Sequence, residues 1–199
     1  MSAAVLWIVA ALAYFLLEAI AATFVPGYSY ARHYISILGV AAWSPWAVLM
    51  NTAFYLQGIL FLAGAVLMAR AARRKALLFL GFAAANAVGN VLVGSVHSVP
   101  ASGSWPGWHF VGAVLAILGG NAAILAGSSV VRRAGGSRRY RVVSVGFAAV
   151  GFLSLVVGWV GSSKTGAIGA WERGSVYPVL LWQLFTGGYL LARQAVRRR

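Results

Sequence analysis

Apolar residues in this chain run on for about twenty positions at a time, interrupted by short polar intervals. Six such runs, at about 4–25, 46–69, 76–96, 109–131, 142–162 and 177–194, reach the length a helix needs to cross a bilayer. A backbone in hydrocarbon must satisfy its own hydrogen bonds, so each run is predicted to be helical. The expected fold is all-α, a six-helix transmembrane bundle forming one domain over residues 1–199. The first run has spanning length and no basic segment before it, and it reads as a retained helix rather than a signal peptide.

The few polar residues inside the runs fall at helical spacings. In the third, Asn86, Asn90, Gly94 and His97 follow one another at steps of four, four and three, one stripe leading from mid-membrane to a surface. In the fourth, His109, Ala113, Ala116 and Gly120 form a small-residue stripe, with Asn121 turned about a third of the way round. The second presents Asn51, Tyr55 and Gly58 on one face, with Gln57 elsewhere. Frequent small residues, including 24 glycines, predict close helix packing. Ser44-Pro45 reads as a cap followed by proline at a first helical position, and Ser175 with Pro178 as a looser form of the same start signal.

Composition agrees with a membrane protein: 61% of residues are hydrophobic and the mean hydropathy is +0.84. The net charge of +14 comes from 16 Lys and Arg against two acids, Glu18 and Glu172. In a soluble protein that balance would suggest nucleic acid, but here the cations sit in blocks between apolar runs, which excludes that reading. Arg70, Arg73, Arg74 and Lys75 fill one connector, Arg132, Arg133, Arg138, Arg139 and Arg141 another, and Arg193 with Arg197 to Arg199 closes the chain. If the spans alternate, these blocks share one side, and the positive-inside rule makes it cytoplasmic, with both termini. Arg32, Lys164 and Arg173 then lie on the opposite, outer face, which also carries all three histidines and much of the Trp and Tyr.

Cysteine and aspartate are absent, so chemistry falls to the two glutamates, the histidines, and hydroxyl or amide groups. Glu18 lies about seven residues, roughly 10 Å, below the outer end of the first span, where a carboxylate is either functional or a hydrogen-bonded link between helices. His97 and His109 are joined by a loop short enough to bring two span ends together. A haem or metal there is geometrically conceivable but lacks a third ligand at close spacing, so no cofactor and no metal is predicted. Each histidine has a plain alternative, His109 as a polar residue near a helix start and His97 as a cation at a helix end. Glu172-Arg173 reads as a loop pair before the sixth helix, either a solvated ion pair or part of an outer mouth. Serine catalysis from Ser95, Ser98 or Ser102 lacks a nucleophile-elbow motif, and Gly135-Gly136 reads as a turn rather than a phosphate loop.

The motifs combine into a recognisable set. Tyr28-Ser29, His33-Tyr34-Ile35-Ser36-Ile37-Leu38-Gly39, Met50-Asn51 with Phe54 and Gln57-Gly58, and Gly89-Asn90 with Val93-Gly94 before His97 are followed by His109, Gly112-Ala113, Gly119-Gly120-Asn121 and Trp171 to Tyr177. Across nearly the whole chain this resembles the domain of unknown function 998 family of prokaryotic integral membrane proteins. The resemblance implies a multi-helix membrane fold in a prokaryotic plasma membrane, without an assigned activity. Many relatives carry an acid in the Ile-Ser-x-Leu-Gly stretch, where Ile37 stands here.

The leading expectation is an outward polar cavity binding a small amphiphilic or anionic molecule, such as a lipid headgroup. Its candidate residues are Arg32, His33, Asn51, Asn86, Asn90, His97, His109, Asn121, Glu172, Arg173 and Tyr177. The alternatives are an enzyme acting on a lipid or isoprenoid, with catalytic candidates Glu18, His97, His109 and Glu172, and a structural or accessory subunit whose polar residues only join helices. No inverted repeat points to a transporter.

Overall fold

The computed structural model describes residues 2–72, 76–97, 107–133 and 135–197. They form α1 (Ala3–Thr23), a 3-10 turn (Ile35–Gly39), α2 (Ala47–Ala71), α3 (Leu77–Ser95), α4 (Gly107–Arg133), α5 (Arg138–Thr165) and α6 (Ile168–Arg197). There is no strand among the described residues. The helices α1 to α5 are long and apolar enough to cross a membrane. In α6 the apolar run is broken by Gln183 and Thr186, both buried.

Each helix packs on its neighbours in the chain, α6 closes the ring against α1, and α4 also touches α6. α5 therefore sits on the outside of the ring, and Val142, Val150, Leu153, Val156, Trp159 and Val160 along it are exposed. The core divides into two clusters. One joins Trp7, Phe61, Phe79, Ile124, Tyr140 and Trp182, at the end of the bundle where Arg70, Arg132, Arg138 and Arg193 lie. The other joins Tyr14, Ile35, Leu38, Met50, Phe54, Val93 and Leu180, toward the opposite end.

The first cluster is a knot of rings. Trp7 and Trp182 meet at 5.4 Å between centroids, and both contact Phe61 and Phe79 within 6.5 Å. The indole N–H of Trp7 donates to Phe61 O at 3.1 Å and that of Trp182 to Ser144 Oγ at 3.0 Å, so neither buried polar handle is unpaired.

Backbone contact is closest between α3 and α4. A Cβ on Gly89 would strike the backbone of Ala116 and Gly112, and one on Gly119 would meet Asn86 N at 2.8 Å. The small residues that meet α3 are thus Gly112, Ala116 and Gly119, while the Ala113 side of the expected stripe lines a cavity.

Both expected helix starts move. α2 begins at Ala47, and Ser44 makes no side-chain cap; its buried hydroxyl has no partner among the described residues. α6 begins at Ile168, so Glu172 and Arg173 belong to a helix and not to a loop. Ser175 lies inside that helix, its hydroxyl donating to Glu172 O at 2.7 Å, and Pro178 is interior, leaving the Gly174 carbonyl without its helical donor. The extra turns form because the folded chain offers partners for their polar side chains.

Candidate functional site

Arg173 organises the segment between α1 and α2. Its Nε and Nη2 donate to Glu18 Oε1 at 3.1 and 2.9 Å, in an ion pair whose side chains are 6% and 1% exposed. Its Nη1 donates to the carbonyls of Tyr30, His33 and Gly169 at 2.7, 3.0 and 3.1 Å, and Nη2 also to Tyr28 Oη. The guanidinium lies 4.5 Å from the centroid of the Tyr30 ring, a cation–π contact. Tyr177 Oη completes the cluster, 3.1 Å from both oxygens of Glu18. Burial pushes the Tyr28 hydroxyl well above its ordinary pKa while the Arg173 charge pulls the other way, so the phenol keeps its proton.

The close approach needs Gly169, where a Cβ would run into the carbonyls of His33 and Tyr30; Ala170 N donates to Ala31 O at 2.9 Å beside it. Arg173 is therefore a fastener. It ties α1, α6 and residues 28–33 together with all of its side-chain nitrogens engaged. The expected pairing of Glu172 with Arg173 is replaced by two long-range contacts: Arg173 with Glu18, and Glu172 Oε2 accepting from Ile35 N at 2.5 Å.

A second set of contacts closes α2 against α3. Asn51 Nδ2 reaches Gly39 O and His97 Nε2, both at 3.0 Å, and Tyr55 Oη donates to Gly94 O at 2.9 Å. His97 is exposed there and does not line the interior. Asn121 is likewise a link between helices, donating to Ser175 O at 2.8 Å from α4 to α6. Arg32 is exposed, and His33 turns Nδ1 to its own turn, accepting from Ser29 N at 3.1 Å.

The remaining candidates converge on one cavity of about 50 Å³ in the centre of the ring. Its walls come from every helix except α5: Tyr14 of α1, Ser36 of the 3-10 turn, Gln57 of α2, Asn86 and Asn90 of α3, His109 of α4 and Glu172 of α6. Along α3 it extends from Asn86 to Val93, roughly 10 Å of helix. His109 is buried, and its Nδ1 lies 2.7 Å from Val96 O, a carbonyl that can only accept, so Nδ1 carries the proton. Of the sequence-derived site residues, Asn86, Asn90, His109 and Glu172 meet in the cavity; Arg32, His33, Asn51, His97, Asn121, Arg173, Tyr177 and Glu18 do not line it. Ser95 is placed against Tyr55 Oη at 3.1 Å, away from the cavity, and Ser98 and Ser102 lie outside the described residues.

Several groups on the cavity wall are left unpaired. Neither side-chain atom of Gln57, 2% exposed, has a partner among the described residues, nor does Asn86 Oδ1. Buried amides are ordinarily hydrogen-bonded, and an unpaired set facing a cavity marks a place for water or a ligand. No Lys or Arg among the described residues lines this space: Arg173 is held by Glu18 and Arg32 is exposed. A group of three or more side chains able to hold a metal is absent among the described residues.

Gln57 stands outside the sequence-derived candidates, yet its signal is in the spacing. Met50, Phe54, Gln57 and Phe61 follow at steps of four, three and four, and all are buried, so the amide replaces an apolar residue in the inward stripe of α2.

A helical bundle with five helices of membrane length and an apolar exterior, around a mainly apolar cavity that a few polar side chains enter, defines an integral membrane protein. The chain belongs to the family described as Protein of unknown function (DUF998), which it matches over residues 8–188. No curated protein and no solved structure matches it.

Proposed function

We propose that this protein is a binding protein of the plasma membrane whose central cavity receives a small polar molecule or the polar end of an amphiphile. The observation that carries this reading is the unpaired amide of Gln57 on the cavity wall, with Asn86 Oδ1 equally unpaired opposite α2. The linking residues spend their side-chain nitrogens on partners, as Arg173, Asn51 and Asn121 do, whereas neither atom of the Gln57 amide is engaged. In this reading α6 is the sixth span, the basic end is cytoplasmic, and the cavity lies nearer the outer face.

The sequence has no cysteine, which makes a single introduced thiol a clean reporter. Ala113→Cys, on the cavity wall, is expected to react with the small neutral reagent methyl methanethiosulfonate at a rate comparable with Ala41→Cys on the surface. Adding Gln57→Trp should fill the space and block the reaction. An unreactive thiol at position 113 in the otherwise native protein would make the cavity a closed packing defect.

Ser36, His109 and Glu172 share the cavity, which favours a second reading as an enzyme, with His109 as base and Glu172 as proton donor. Labelling of Ser36 by a fluorophosphonate, lost in His109→Gln, would support it; absence of labelling would remove the nucleophilic version.

A further inference from the structure

The amide and carboxylate atoms of the cavity are unequally divided between donors and acceptors. Asn86 commits Nδ2 to Ala116 O at 2.7 Å and leaves Oδ1 unpaired. Asn90 likewise donates one N–H of Nδ2 to Asn86 O at 2.9 Å, which leaves its second N–H and a carbonyl oxygen with two lone pairs. Glu172 receives Ile35 N on Oε2, which leaves Oε1, again an acceptor. Gln57 adds a wholly unengaged amide, so the set keeps four N–H donors against four oxygens that can each accept two hydrogen bonds.

Charge points the same way. The only acid on the wall is Glu172, and the neighbouring cation, Arg173, faces Glu18 with its hydrogen-bond donors engaged on other partners. With both acids ionised, Glu18, Arg173 and Glu172 together leave one negative charge unneutralised, in surroundings where an uncompensated charge is costly. An acidic residue by itself would not make a site. Here two side chains that are 2% and 3% exposed, Gln57 and Asn86, also present unpaired atoms.

We infer that the ligand of this cavity carries a primary ammonium group, whose three N–H donors and positive charge complement Glu172 Oε1 and the carbonyl oxygens of Asn86, Asn90 and Gln57. The volume of about 50 Å³ suits the head of such a molecule rather than a whole lipid. The inference rests on the binding role proposed above and adds its chemical class. The ammonium group can belong to a free amine or to an aminophospholipid headgroup.

The experiment uses the full chain in phosphatidylcholine nanodiscs, with Ala113→Cys in the cavity and Ala41→Cys as the surface reference. Each is reacted with methanethiosulfonates bearing an ethylammonium, an ethylsulfonate or only a methyl group. The ratio of ammonium to sulfonate rates is expected to be about tenfold higher for the cavity thiol than for the surface thiol, the lower end of electrostatic focusing in a cleft. It should fall to the surface value in Glu172→Gln, which keeps a carbonyl acceptor for Ile35 N. Methylammonium should slow labelling of the cavity thiol, and acetate should not.

If phosphatidylethanolamine in the nanodisc also protects, the source is a lipid headgroup; protection by methylammonium alone assigns a free amine. Equal ratios at the two positions, with the neutral reagent still reacting in the cavity, would overturn the ammonium assignment and leave the binding role standing. A cavity thiol inert toward all three reagents would overturn both.

Discussion

At the residue scale, Arg173 and Gln57 represent two ways of burying polarity. Arg173 is surrounded by acceptors, and its loss would strand Glu18 in a site 1% exposed. Arg173→Met is therefore expected to destabilise the protein by about 3–5 kcal/mol, the usual cost of breaking a buried pair. Adding Glu18→Gln should recover much of that loss, because both charges are then gone. Thermal unfolding in a mild detergent measures both. Gln57 should behave in the opposite sense: replacing an unpaired buried amide by the similarly sized Met removes a desolvation cost of about 1 kcal/mol. Gln57→Met should raise the melting temperature of the ligand-free protein, and a fall would show that the amide is engaged in the resting molecule.

At the scale of elements, the first five helices were legible from run length because the bilayer imposes a length that sequence displays directly. α1, α2 and α3 end within two residues of the expected runs. The body of α6 was legible too, in the run at 177–194, but its start was not, since its first turns are polar and become helical only through contacts made far along the chain, Arg173 to Glu18 above all. Ser44-Pro45 and Ser175 with Pro178 misled for the same reason: capping signals are local, and the helix ends were decided by packing. The candidate site was half legible. Period placed Asn86, Asn90 and His109 inward, but whether an inward amide is a fastener, like Asn121, or a wall group, like Gln57, depends on what the next helix presents. The α3–α4 contact yields a prediction at this scale. Gly89→Leu meets backbone and has nowhere to go, so it should cost at least about 1–3 kcal/mol of overpacking; Gly81→Leu, with open space around its Cα, should be nearly neutral. Detergent-resistance assays on the two variants make the comparison.

For the whole molecule, the two ends differ in kind. Arginines cluster at one, while aromatic and histidine side chains frame the cavity toward the other. In intact cells an impermeant thiol reagent is expected to label Ala41→Cys and to spare Ser137→Cys; the reverse pattern would invert the proposed orientation.

The knot of Trp7, Phe61, Phe79 and Trp182 begins within a turn of the cavity and extends up to two turns beyond it, toward the arginine-rich end. It gives the bundle the electrical behaviour of a stoppered tube. With the cavity open to the outer face as proposed, most of a transmembrane voltage drops across the rings rather than along the cavity. A charge resting beside Glu172 crosses little of that field and feels only a small part of the roughly 2.3 kcal/mol that 100 mV exerts on a full crossing. Occupancy of the cavity should be nearly indifferent to membrane potential, and planar-bilayer recordings should register no current.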